Sequence, residues 1–190
     1  TNSFKSEGVP VDYEFSLKPS LLSINDWCDT FNIKVNSEEG ALISRALESL
    51  KGNYDINEIM YEVDSDELSN HEIKNVVMGM FRASNNWGLF DKEAKNIEDI
   101  AKGVSVIDLS VYTDWSVKAL VVGLLSKRLL RSRIAYRKKE ELEKVEAGES
   151  LFYNEEKISD MPMVWMFIDE AHQFLGKDVR NAATDPLISL

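Results

Sequence analysis

Residues 164–175 read VWMFIDEAHQFL, and the fold predicted for the whole chain depends on this stretch. Its first five residues are apolar, and two adjacent carboxylates, Asp169 and Glu170, follow at once, with His172 two positions further on. A short apolar run of this kind is typical of a strand buried in a parallel sheet. Ligands of open α/β folds bind at the edge where such strands end. The stretch therefore predicts a strand that brings two acids to a binding edge.

A second apolar run and a long helical pattern lie upstream of this stretch. Residues 104–109 read VSVIDL, again a buried-strand pattern, and Thr113 or Asp114 can cap a helix that runs to about Glu146. Residues 163–168 then form the second strand of the pattern. Two apolar strands joined by a helix predict a βαβ crossover and a parallel sheet.

The first half of the chain carries mostly helical signals. Residues 11–15 alternate apolar and polar side chains, as a short half-buried strand does. Four pairs with capping-box spacing follow and predict four short amphipathic helices: Ser23 with Asp26, Asn36 with Glu39, Asp55 with Glu58, and Ser69 with Glu72. The predicted organisation is an α/β core formed by residues 1–15 and 103–190, with a helical bundle at 16–102 as an insertion.

The two acids suit the chemistry of nucleotide hydrolysis. An Asp at the end of a buried strand can hold Mg²⁺ beside the β- and γ-phosphates of ATP. A neighbouring Glu can orient and deprotonate the attacking water. The alternative is a solvated turn that opens the next helix, where acids are also favourable.

The segment WMFIDEAHQFL, residues 165–175, resembles the Walker B segment of the HerA-type ATPases, in the HerA/FtsK group of RecA-like DNA-pumping motors. The resemblance extends over VSVIDLSVYTDWSVKALVVGLLSKRLLRSRI, FRASNNWGLFDKEAKNIEDIAKGVSVIDLS and the C-terminal NAATDPLISL, about the second half of the chain. It implies an α/β, helix-rich fold, a partial RecA-like P-loop NTPase core with a helical-bundle insertion. It also implies ATP and Mg²⁺ as cofactors, a homo-oligomeric, hexameric ring that moves along duplex DNA, and a NurA-type nuclease partner.

The same resemblance implies a role for each polar residue of the stretch. Asp169 would be the Mg²⁺ carboxylate at the bound nucleotide, and Glu170 would be the catalytic base. His172 would relay the state of the nucleotide to neighbouring elements, or it is a histidine at a helix start that is bonded to backbone.

One essential element of such an enzyme is missing from the sequence. No G-x-x-x-x-G-K-[ST] pattern occurs, and Gly176-Lys177 is followed by Asp178. Carboxylates cannot replace the backbone N–H groups and the Lys of a phosphate-binding loop. We therefore expect an internal fragment of a larger ATPase, which on its own binds ATP poorly and does not hydrolyse it.

Two other functions compete with this interpretation. Residues 169–172 spell the DEAH motif of a helicase family, but Gln173-Phe174-Leu175 departs from that family's usual Arg-containing continuation. The other candidate is a non-enzymatic helical protein-interaction module, in which the two acids form a surface turn. This second function needs no phosphate-binding loop.

Composition and charge limit the remaining possibilities. The net charge of −11 argues against a basic nucleic-acid coat, but residues 127–139, KRLLRSRIAYRKK, hold seven basic side chains and no acid. This basic run is either the solvated face of a helix or a surface for DNA or a neighbouring subunit.

The absence of a membrane-length apolar run and of a signal peptide, and the single Cys28, lead us to expect a cytoplasmic protein without a membrane span. His71, His172 and Cys28 have no zinc-site spacing.

Overall fold

The computed structural model describes residues 11–95, 97–100, 103–146, 163–176 and 181–190. Helices account for most of the ordered elements within these ranges. They are α1 (Ile24–Phe31), α2 (Glu38–Ser49), α3 (Ile56–Ser65), α4 (His71–Asn85), α5 (Ile97–Ile100), α6 (Trp115–Glu146) and α7 (Thr184–Ile188), with 3₁₀ turns at Pro19–Leu21 and Ala171–Gln173.

The described residues contain no β-strand and no sheet, so the predicted α/β, RecA-like P-loop core is wrong. The segments 11–15, 104–109 and 163–168, predicted as strands, lie outside helices but are not paired in a sheet. One isolated parallel bridge joins Leu17 to Phe90. The physical reason is that a strand exists only through hydrogen bonds to a second strand. An apolar alternating pattern produces an extended segment but does not supply that partner.

The helix starts follow the predicted capping chemistry. At α1, Asp26 N donates to Ser23 Oγ (3.4 Å) and Ser23 N donates to Asp26 Oδ2 (2.7 Å). At α3 the same reciprocal pair joins Asp55 and Glu58, with distances of 2.9 and 2.8 Å. Two of the four predicted capping boxes are therefore confirmed.

The two other helix starts lie one residue beyond the predicted caps. Ser37, not Asn36, caps α2 by accepting from Gly40 N (3.2 Å). Asn70, not Ser69, caps α4 by accepting from Ile73 N (3.0 Å). Ser69 N instead donates to Asp66 (2.8 Å), so its place is in the preceding turn.

Helices α1 to α4 form a bundle around one hydrophobic core. Trp27 of α1 is fully buried and lies at the centre of an aromatic cluster with Phe31, Phe81 and Phe90, at ring-centroid distances of 5.0–5.5 Å. Aromatic pairs at such distances add roughly 0.5–1.5 kcal/mol beyond the area they bury. This cluster fixes α1 against α4 and against the segment that follows α4.

Helix α6 is buried over much of its N-terminal part. Residues 117 and 119–126 are buried on all sides, and the helix packs against α1, α5 and α7. Its residues from Arg131 to Glu143 are mostly exposed. One continuous helix of 32 residues therefore runs from the core into solvent. In the described part of the chain, no helix is long and apolar enough to cross a membrane.

The two extended segments, 104–109 and 163–168, both lie against the buried half of α6. Leu109 and Ile168 pack against one small cluster that includes Ala119 and Val122. Met166 contacts Ser126, one helical turn further along α6, with its sulfur 3.5 Å from the hydroxyl oxygen. Segment 163–168 therefore runs towards the N-terminal end of α6, and no strand pairing joins it to segment 104–109.

Candidate functional site

The extended segment that leads to Asp169 has two different faces. Val164, Met166 and Ile168 are half-buried, whereas the alternate side chains are exposed: Met163, Trp165 (76%) and Phe167 (90%). Such alternation is expected when an extended chain packs one face on a helix. Asp169 is therefore held close to α6 through Ile168, but not at the edge of a sheet.

Asp169 and Glu170 form a tight turn at the end of this segment. Glu170 N donates to Asp169 Oδ1 (2.9 Å). The backbone of Glu170 has φ = 53° and ψ = 34°, the left-handed conformation that non-glycine residues seldom adopt. This conformation costs on the order of 1 kcal/mol, which the surrounding contacts have to offset.

His172 lies next to Glu170 within the same turn. His172 Nδ1 is 3.2 Å from Glu170 Oε2, and both side chains are mostly exposed. The contact is an ion pair only when the imidazole is protonated, and otherwise a hydrogen bond in which Nδ1–H donates. The three predicted site residues are thus brought together, in open solvent rather than in a cleft.

Phe174 holds this turn to the rest of the molecule. Its ring stacks on Trp115, the first residue of α6, at 4.8 Å and 29°. Its carbonyl oxygen accepts from Asn181 Nδ2 and from Thr184 Oγ1, each at 3.2 Å. Phe174 and Thr184 are both buried. Sequence reasoning missed Asn181 and Thr184, although the N-x-x-T spacing before α7 was a usable signal for this kind of turn.

The turn meets only part of what Mg²⁺ requires. Magnesium takes oxygen ligands and commonly binds through one or two carboxylates, with water and phosphate completing the shell. Asp169 and Glu170 can supply those carboxylates, and both are open to water. Among the described residues, however, no group of three or more His, Cys, Asp or Glu side chains is placed to hold a metal. The two carboxylates can therefore supply only part of the ligand shell of a metal ion, and water or phosphate has to complete it.

The end of the first extended segment forms a comparable turn. Ser110 N donates to Asp108 Oδ1 (2.8 Å), and hydrogen bonds from the Ser110 backbone and hydroxyl lower the pKa of Asp108. Leu109, between these residues, shares its apolar cluster with Ile168. Asp108 is therefore an ionised carboxylate whose first role is to close its own turn.

The basic run, residues 127–139, is largely occupied by contacts within the fold. Lys127 pairs with Asp26 of α1 (2.7 Å), and Arg128 donates to the Leu21 carbonyl (2.9 Å). Three further cations pair with acids of α6 itself: Arg133 with Glu140, Arg137 with Glu141, and Lys139 with Glu143. Most of the run therefore stabilises α6 and its packing, which supports the expectation of a solvated helix face over a dedicated anion surface.

Two further features, the Cys28 thiol and a surface depression, contribute no group to the turn of residues 169–172. Cys28 is buried in α1, and burial raises the pKa of its thiol to about 11, so the nucleophilic thiolate is scarce at neutral pH. A surface depression of about 360 Å³ is lined by residues such as Tyr13, Phe90 and Lys95. It does not include the turn at Asp169.

Comparison with protein-family models, with curated proteins and with solved structures finds no match to this chain.

Proposed function

We propose that this chain is the part of a larger ATP-driven, hexameric DNA translocase of the HerA type that supplies a magnesium carboxylate and a general base. In this proposal Asp169 holds Mg²⁺ at the bound ATP, Glu170 activates water, and His172 senses the nucleotide through Glu170. The protein works in the cytoplasm on duplex DNA, with a NurA-type nuclease. A phosphate-binding loop has to come from another polypeptide segment.

The observation that supports this proposal is the turn of residues 169–172 at the end of an apolar extended segment. Both carboxylates are accessible, Glu170 is held in a left-handed conformation, and His172 lies within 3.2 Å of it. Polar side chains held in uncommon backbone conformations occur preferentially at functional sites. The end of segment 104–109, next to Asp108, packs against the same apolar cluster beside α6.

Metal binding by the 190-residue chain tests the first half of the proposal. Titration with Mn²⁺ as a paramagnetic probe should broaden the backbone amide signals of residues 169–172 at lower concentration than those of other adjacent acids. Glu38-Glu39 and Glu140-Glu141 are the comparison pairs, since both lie on helices and each of these acids is at least partly exposed. Asp169→Asn should remove the preference. Equal broadening at all three acid pairs would contradict the proposal.

ATP hydrolysis tests the second half of the proposal, the role of Glu170 as the general base. The isolated chain should show no ATP turnover. In a polypeptide that joins it to a phosphate-binding loop, Glu170→Gln should lower turnover about 10²- to 10⁴-fold with little effect on ATP binding, because the base is lost and the metal ligand stays. Glu143→Gln, an exposed substitution on α6, is the control. Clear turnover by the isolated chain that Glu170→Gln abolishes would contradict the need for a separate loop.

A second candidate function, a non-enzymatic protein-interaction module, is favoured by one specific observation. The two segments expose five large apolar side chains: Val104 (97%), Val106 (92%), Met163 (71%), Trp165 (76%) and Phe167 (90%). Exposed apolar groups of this kind mark interaction surfaces when they are contiguous. Under this function, Trp165→Ser would weaken association with a partner while Asp169→Asn and Glu170→Gln would have no effect. The nucleotide-hydrolysis proposal predicts the opposite: Asp169→Asn and Glu170→Gln would impair activity, and Trp165→Ser would have little effect.

A further inference from the structure

Asn181 and Thr184 lie outside the carboxylate turn, but they contact the residue that ends it. The 3₁₀ turn after Glu170 is closed by two backbone hydrogen bonds, from Gln173 N to Glu170 O (2.9 Å) and from Phe174 N to Ala171 O (3.0 Å). Phe174 is therefore the last member of the turn. Any contact that fixes Phe174 also restricts the backbone of Glu170.

Two polar side chains converge on one atom of Phe174. Asn181 Nδ2 and Thr184 Oγ1 each donate to its carbonyl oxygen at 3.2 Å. The donors are themselves ordered, since Thr184 Oγ1 accepts from Asn181 N (3.1 Å) and Asn181 Oδ1 accepts from Ala183 N (2.9 Å). Thr184 is buried, so its hydroxyl has little access to water as an alternative partner.

A third contact joins this arrangement to the core. Ala183 is fully buried, and its backbone passes so close to Gly123 of α6 that a Cβ atom on Gly123 would lie 3.0 Å from the Ala183 Cα. The Phe174 ring stacks on Trp115 from the same helix. The turn is thus clamped between α6 and the start of α7.

We infer that Asn181 and Thr184 are positioning residues for the carboxylate turn, which fix the orientation of Glu170 and His172 by holding the carbonyl oxygen of Phe174. This inference rests on the proposed function for its catalytic meaning, although the positioning itself can be measured without nucleotide. Neither residue contacts a reacting group. Their effect is transmitted through Phe174 and the left-handed backbone of Glu170.

The decisive variant is Thr184→Val, which removes the hydroxyl and keeps the side-chain shape. Amide hydrogen exchange at Gln173 and Phe174 should become about three- to tenfold faster, because one of the two hydrogen bonds that hold the Phe174 carbonyl oxygen is lost. The imidazole ¹⁵N signals of His172 should shift as its contact with Glu170 loosens. His71, the other histidine, bonds to Asn75 in α4 and provides the internal reference.

Two controls separate positioning from general destabilisation. Thr184→Ser keeps the hydroxyl and should restore both signals. Ser189→Ala removes a hydroxyl that donates to the Asp185 carbonyl (2.8 Å) in the same C-terminal segment, and should leave His172 unchanged. Unaltered exchange and unaltered His172 signals in Thr184→Val would overturn the inference. If that variant does not fold, Asn181→Ala, which removes the other donor to the same oxygen, decides it by the same measurements.

These results are separable from a failure of the proposed function. If Mn²⁺ shows no preference for the turn, while Thr184→Val still shifts His172, then Asn181 and Thr184 position a turn that has no metal role. If Mn²⁺ prefers the turn and Thr184→Val changes nothing, the function stands and the positioning role is excluded.

Discussion

Lys127 Nζ lies 2.7 Å from Asp26 Oδ1, and this ion pair joins the middle of α6 to the first turn of α1. Asp26 also closes the capping box at Ser23. Burial alone would raise the pKa of Asp26, but the hydrogen bonds from Lys127 and Ser23 outweigh it and hold the pKa below its usual value. One carboxylate thus stabilises both a helix start and a helix–helix contact.

Loss of this ion pair should destabilise the fold. Lys127→Met should lower the free energy of unfolding by about 1–3 kcal/mol, because Asp26 would remain largely buried without its charged donor. Urea denaturation at neutral pH measures the change. Lys138→Met, at an exposed position of the same helix, should change it by less than about 0.5 kcal/mol. Equal effects of the two substitutions would show that the ion pair contributes nothing.

Acid should remove a second stabilising contact, at Asp66. Arg45 forms a two-point contact with this carboxylate (2.7 and 3.1 Å), and together with Ser69 it holds the pKa of Asp66 well below the usual value. A folded-state pKa below the unfolded value of about 3.9 means that this stability is complete above that pH and is lost as the pH falls through the folded pKa.

The Asp66→Asn variant tests this pH dependence. It should be less stable than the wild type by about 1–3 kcal/mol at neutral pH, and the difference should shrink in acid. Denaturant titrations across the acidic range measure it. Glu67→Gln, at the exposed neighbouring residue, should change stability little at any pH. A difference for Asp66→Asn that does not vary with pH would contradict the assignment.

Two helical glycines should respond in opposite directions to alanine. A Cβ atom on Gly40 would lie 2.8 Å from the carbonyl carbon of Val35, so Gly40→Ala should force α2 away from the preceding loop and destabilise the fold by about 1–3 kcal/mol. Gly79 in α4 has open space at this position. Gly79→Ala should therefore stabilise the protein by about 0.5–1 kcal/mol through helix propensity. Thermal unfolding of the two variants shows whether each substitution raises or lowers stability, and a change in the same direction for both would contradict this prediction.

The basic run leaves Arg131 as an exposed cation near the middle of α6. If this surface meets DNA or a neighbouring subunit, Arg131→Glu in the protein that contains this chain should weaken duplex binding and reduce its salt dependence, or weaken ring assembly. Arg133→Glu should act less selectively, because it also breaks the pair with Glu140 (3.1 Å). Unchanged DNA affinity across salt concentrations together with unchanged sedimentation would exclude both roles.

Local chemistry made part of this fold predictable. The reciprocal pairs Ser23–Asp26 and Asp55–Glu58 identify two helix starts because a capping box is completed within four residues. The bounds of α6 were likewise predictable from Asp114, which accepts from Ser116 N (2.9 Å), and from the long apolar pattern that follows.

The absence of a sheet among the described residues was not predictable, because strand pairing is not a local property. Segment 163–168 alternates in exposure as a strand does, but the sequence pattern contains no information on which backbone, if any, bonds to it. The candidate site was likewise predictable only in its local part. The clustering of Asp169, Glu170 and His172 follows from their adjacency, whereas the clamp by Asn181 and Thr184 depends on tertiary contacts with α6.

The continuity of α6 has a mechanical consequence. Its 32 residues make a rod about 48 Å long, with buried side chains between Val117 and Ser126 and mostly exposed ones from Arg131 to Glu143. A force on the exposed end would be transmitted along this unbroken helix to its packed end. At that end it would act on Trp115 and, through the ring stack, on Phe174.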